Sequence, residues 1–136
     1  MEFKKIKQNG FRQYYVAEGL NWDEDGAVSV YRLGGSDSSW SVEVTLPVGV
    51  IPAYLKKGID EAYKNDVEDR EKYGYGKGFD SQVKFSYKLD GIDVMCSTYC
   101  HANRNGYYFS TKLTAHDFDS KDEAVKFAEN LYDTVR

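Results

Sequence analysis

Cysteine, histidine and proline are all scarce in this chain, at two residues each in 136. So few cysteines exclude a disulfide scaffold. The start, Met1-Glu2-Phe3-Lys4-Lys5-Ile6-Lys7, is not followed by an apolar h-region. A cytoplasmic protein with reduced thiols is therefore expected. The longest apolar run, around Pro47 to Leu55, is far too short to span a bilayer, so no membrane partner is expected. Conventional soft metal ligands are confined to Cys96, Cys100, His101 and His116. If 96–100 is one strand, Cys96 and Cys100 share a face but sit about 13 Å apart. That spacing cannot close a zinc site, and neither metal nor cofactor is expected.

Catalytic motifs are absent too. Gly76-Lys77 is followed by Gly78 rather than by a hydroxyl residue, and no glycine lies five positions earlier. A phosphate-cradling P-loop needs both features. Lys77-Gly78-Phe79 begins like an RNA-recognition octamer, but Asp80 and Ser81 stand where a small residue and an aromatic belong. Cys100 and His116 could form a nucleophile and base, but nothing supplies an orienting group or an oxyanion loop. A small enzyme built on them is kept as an alternative. No catalytic residue is assigned.

What is present describes one globular domain over residues 1–136. The chain is 41% apolar and 29% charged, with a mean hydropathy of -0.64. Its net charge of -4 makes direct nucleic-acid binding the secondary reading. The charge is uneven: Lys4, Lys5, Lys7 and Arg12 dominate the first twenty residues, and Asp23, Glu24 and Asp25 follow.

Strand patterns open the chain. Phe3–Lys7 is a short charged strand, Asn9-Gly10 signals a tight hairpin, and Phe11–Leu20 is the partner strand. Residues 21–26 read as a turn. Ala27–Leu33 alternates, and Trp40, Val42, Val44 and Leu46 alternate against Ser41, Glu43 and Thr45. From Pro52 to Lys72 the period becomes helical, with Leu55, Ile59, Ala62, Tyr63 and Val67 on one stripe. After a Gly/aromatic loop, Val83 to Leu89 and Ile92 to Thr98 alternate around Asp90-Gly91. A longer turn is expected at His101–Gly106 and a strand at Tyr107–Leu113. Ser120-Lys121-Asp122-Glu123 is a capping box that opens a helix striped by Ala124, Phe127, Ala128, Leu131 and Val135. The spacing therefore predicts an α+β domain of order β-β-β-β-α-β-β-β-α. Its antiparallel sheet of about seven strands is covered by two helices in two layers.

Tyrosine is the compositional oddity, at twelve residues beside seven Phe and two Trp. Tyr14/Tyr15 and Tyr107/Tyr108 are adjacent pairs, so one ring of each leaves the other's face if the pair lies in a strand. Exposed tyrosine among acidic and small polar residues is the composition of a protein-binding surface. Phe118–Ala124, a strand end running into a capped helix, resembles the closing unit of two small modules. One is the three-stranded DNA-binding arm of phage integrases, and the other is the antitoxin half of HicB-type systems. The acidic Asp117, Asp119 and Asp122 sit badly with DNA contact, and no functional residue is carried over.

These features point to a non-enzymatic protein-binding inhibitor. Small proteins of this kind are frequent in phages and mobile elements, and the anti-CRISPR type, which blocks host nucleases, is one such class. The expected partner is another protein, such as a nucleic-acid-binding host enzyme with a basic groove. The candidate contact residues are Asp23, Glu24, Asp25, Asp60, Glu61, Glu68, Glu71, Tyr73 and Tyr75. The alternative is a nucleic-acid module using Lys4, Lys5, Lys7, Arg12, Lys84 and Lys88, with Tyr14 or Tyr87 for stacking. A free sheet edge would also admit a second copy of the chain.

Overall fold

The computed structural model describes residues 1–34, 39–50, 53, 56–58, 61, 64, 68, 81–103 and 106–135, with backbone alone for 81–83, 100–103 and 106–109. Its strands are β1 (Phe3–Ile6), β2 (Phe11–Ala17), β3 (Ala27–Leu33), β4 (Trp40–Thr45), β5 (Ser81–Leu89), β6 (Ile92–Asn103) and β7 (Gly106–Phe118). They form one seven-stranded sheet in the order β1-β2-β3-β4-β7-β6-β5. Every pairing is antiparallel.

The mixed α+β class and the antiparallel sheet agree with the sequence pattern. The element order differs in detail. A one-turn helix, Trp22–Asp25, interrupts β2 and β3 where a plain turn was expected. Its cause is local: the Asn21 side chain accepts from the amides of Asp23 and Glu24, satisfying donors that a helix start leaves unpaired. The expected turn at His101–Gly106 is also mostly strand, since β6 continues to Asn103 and β7 resumes at Gly106. Asn9-Gly10 does turn the chain, with the Phe11 amide donating to the Gln8 carbonyl at 3.2 Å, but the β1–β2 ladder stops short of it. The last β1–β2 pair is Ile6 with Tyr14, and on its other side β2 has a bulge against β3 between Phe11 and Gln13.

The chain makes two runs of neighbouring strands, β1 to β4 and β5 to β7, and joins them at β4–β7. There Val44 faces Leu113 and Thr45 faces Lys112. Alternation sends Val28, Val30, Trp40, Val42, Val44, Val94, Cys96, Leu113 and Ala115 to one buried face. The C-terminal helix (Lys121–Val135) covers that face over β3 and β4. It buries the expected stripe and also Tyr132. Each large apolar side chain in that stripe contributes roughly 1.5–3 kcal/mol. Ser120 caps the helix through the Glu123 amide, at 3.2 Å. Lys121 lies over the Tyr15 ring, 4.2 Å from its centroid, and ties the helix start to β2.

The described residues of the middle segment, Ala53, Lys56, Lys57, Gly58, Glu61, Lys64 and Glu68, are helical. Apart from Gly58 they are exposed, as the polar face of the expected helix should be. A Cβ on Gly58 would meet the Phe85 ring at 2.7 Å, so this helix rests on the same buried face, over β5. The expected stripe of Leu55, Ile59, Ala62, Tyr63 and Val67 lies outside the described residues.

Candidate protein-binding surface

The sheet has two ends, and they differ in charge. One end holds the β2–β3 connection and the exit from β4. Its side chains come from a stretch, Gln13 to Tyr31, that contains Glu18, Asp23, Glu24 and Asp25 and no lysine or arginine. The start of the chain joins it, because the Glu18 amide donates to the Glu2 carbonyl at 2.8 Å. The other end is mixed: the β1–β2 turn holds Lys5, Lys7 and Arg12 with no acid between Phe3 and Ala17, while the β5–β6 turn and the exit from β7 at the same end bring Asp90, Asp117 and Asp119.

Four of the large hydrophobic side chains that stand in solvent, Met1, Trp22, Val48 and Val50, belong to the acidic end. Trp22 is 59% exposed, although a side chain of its size normally buries most of its area. Its position is fixed from three sides. The Gly26 amide donates to the Trp22 carbonyl, closing the turn. The Asn21 amide donates to the Asp25 carboxylate at 2.9 Å. The Tyr132 hydroxyl on the C-terminal helix donates to the Asp25 carbonyl, also at 2.9 Å. The result is a held turn that presents an indole beside two exposed carboxylates, Asp23 and Glu24.

Among the candidate contact residues, Asp23 and Glu24 are exposed, while Asp25 is half-buried and spent on the turn itself. Glu61 and Glu68 are exposed on the middle helix, and Glu68 lies 4.0 Å from Lys64. Asp60, Glu71, Tyr73 and Tyr75 lie outside the described residues. The sequence pattern marks Trp22 only as part of the 21–26 turn. A lone tryptophan between an Asn cap and three acids was the signal for it.

The basic candidates do not form one patch. Lys4 and Lys5 sit on β1, and Lys84 and Lys88 sit on β5 at the opposite edge. Six strand spacings put these edges roughly 29 Å apart along a flat sheet. Lys88 is paired with Asp93 at 2.8 Å. Tyr87 packs against the core, so it is no stacking platform on the open face. Tyr14 does lie on that face, stacked on Tyr31 at 5.6 Å and met edge-on by Phe11 at 5.0 Å. Burial, the Glu43 carboxylate and Tyr14 together push the Tyr31 hydroxyl up from its ordinary pKa.

The thiols offer no assembled chemistry. Cys96 is buried, and burial pushes its pKa up to about 11, against a small lowering from a hydrogen bond to Thr98. Cys100 pairs with Phe109, and His116 lies seven positions further along β7. That is roughly 23 Å of strand. His116 instead shares a hydrogen bond with Ser41 at 2.8 Å. Among the described residues, no three His, Cys, Asp or Glu side chains converge as a metal site. Nor is any helix long and apolar enough to cross a membrane.

No family model, curated protein or solved structure matches the chain.

Proposed function

We propose that this protein is a non-enzymatic inhibitor or adaptor that docks its acidic end on a basic surface of another protein. The observation that carries this reading is Trp22, exposed on a held turn between acidic side chains. Interface energy concentrates in aromatic anchors, and tryptophan leads them. The carboxylates of Asp23 and Glu24 supply charge complementarity, which steers encounter and selects a basic partner. A nucleic-acid-binding enzyme of the host offers such a surface in its groove. An anti-defence inhibitor of the anti-CRISPR type, working in a bacterial cytoplasm, is the specific form of this proposal.

The test is a tagged pulldown from nuclease-treated bacterial lysate, read by mass spectrometry, with wild type beside Trp22→Ala and Asp23→Lys/Glu24→Lys. One stoichiometric protein is expected, retained after nuclease. Trp22→Ala should cost about 2 kcal/mol of affinity, or about 30-fold. The double charge reversal should weaken binding more at low salt than at high. Because all three side chains are exposed, the variants should melt like wild type. A partner held equally by all three proteins, or no protein partner, overturns the proposal.

A further inference from the structure

The opposite end of the sheet holds a second candidate site with different chemistry. The β1–β2 hairpin encloses an open depression of about 620 Å³, lined by the ten residues from Lys5 to Tyr14. Three cations, Lys5, Lys7 and Arg12, belong to this lining, and all three are exposed, although Lys5 pairs with Tyr15 and so leaves β1 on the helix-covered side, away from the rings. Among the described residues, none of the three is in an ion pair. With no acid between Phe3 and Ala17, the hairpin is positive within a chain of net charge -4. Two rings, Phe11 and Tyr14, complete the lining. Tyr31 braces them from β3, with its centroid 5.0 Å from Phe11 and 5.6 Å from Tyr14.

Unpaired cations beside braced aromatic rings match a ligand that is anionic and flat at once. We infer that the β1–β2 hairpin binds nucleotide units, their phosphates held by Lys7 and Arg12 and a base set against Phe11 or Tyr14. Single-stranded nucleic acid carries this chemistry repeatedly, and a free nucleotide carries it once. Stacking of this kind tolerates any base, so little sequence preference is expected. Lys84 and Lys88 take no part, since they belong to the far edge.

The test is fluorescence anisotropy with a short fluorescein-labelled oligo-dT strand. Two neutralised phosphates give a log–log salt slope of about -1.4 for a single strand, so raising salt from about 50 to 200 mM should weaken binding about sevenfold. Lys7→Gln/Arg12→Gln should lose tenfold or more, and Phe11→Leu about five- to tenfold. Lys84→Gln/Lys88→Gln should bind as wild type. Far-UV circular dichroism and melting establish that each variant is folded. Competition then separates the sources. Displacement by dTMP at matched phosphate concentration assigns the site to free nucleotides, and displacement by unlabelled oligo-dT alone assigns it to the strand. No binding at low salt, equal binding by the Lys7→Gln/Arg12→Gln variant, or equal displacement by inorganic phosphate overturns the inference. None of these side chains belongs to the Trp22 end, so this site and the protein-docking proposal fail separately.

Discussion

Replacing Gly26 with alanine is expected to be among the most damaging single-methyl changes in the molecule. Gly26 caps the Trp22 turn at φ 79° and ψ -151°, a region open essentially to glycine alone. Forcing alanine there costs roughly 1–3 kcal/mol in backbone strain. The added Cβ would also run into the Thr45 carbonyl oxygen, with the Thr45 carbonyl carbon at 3.1 Å and Pro47 Cδ at 3.2 Å. These neighbours are main chain and a proline ring, so none can rotate away. Overpacking of this kind adds roughly 1–3 kcal/mol. The two terms together come to about 4 kcal/mol, a large share of a typical total stability of about 5–15 kcal/mol. Gly19 supplies the control: it has φ 82°, but nothing lies within 4 Å of its would-be Cβ. Gly19→Ala should therefore carry the cost of a positive φ alone, about 1–2 kcal/mol. Urea unfolding followed by far-UV circular dichroism reads both. With m near 2 kcal/mol/M, Gly26→Ala should lower the midpoint by about 2 M and Gly19→Ala by under 1 M. If the two variants lie within about 0.5 kcal/mol of each other, the close approach of this turn to β4 is refuted.

Two further outcomes follow from the buried face. The Thr98 and Thr111 hydroxyls share a hydrogen bond at 3.0 Å with no exposure to solvent. Thr98→Val should cost about 1–2 kcal/mol by orphaning its partner, and Thr98→Val/Thr111→Val should cost clearly less than the two single changes added. Strict additivity in urea melts would sink that account. Cys96 should make stability pH-dependent on the alkaline side. Its folded pKa is raised to about 11, so between pH 9 and 11 the unfolded thiol releases its proton while the folded one keeps it. Unfolding is thereby favoured as pH rises, by at most about 1.4 kcal/mol per pH unit. Cys96→Ala should show a flatter stability profile over that window, and parallel profiles would contradict the burial argument.

Much of the fold was legible because it is written in short-range signals. The alternation from Trp40 to Leu46 fixed the buried face of β4. The capping box at Ser120 fixed the C-terminal helix. Asp90-Gly91 forms its tight turn with both residues at positive φ, 51° and 79°. The β4–β7 seam was not legible. It joins segments roughly 70 residues apart, and Val44 or Leu113 would read the same beside any apolar strand. Asn9-Gly10 was legible only in part: it turns the chain, with the Phe11 amide donating to the Gln8 carbonyl, but the β1–β2 ladder closes only at Ile6 and Tyr14, and Phe11 packs instead with Tyr14 and Tyr31 in a ring cluster. At the candidate surface the acids of residues 23–25 were legible as charge. Which of them stays free was not, because that depends on the turn folding so that the Asn21 amide reaches the Asp25 carboxylate.

The placement of the C-terminal helix also has a consequence for biosynthesis. Its seat is on β3 and β4, yet it is made roughly 75 residues after β4. At about 5–20 residues per second the ribosome needs about 4–15 s to cover that interval. Throughout it, the faces of Val28, Val30, Val42 and Val44 are without their native cover. The N-terminal meander must therefore wait for its lid on the nascent chain, and this interval is when the protein is most open to a chaperone or to a wrong neighbour.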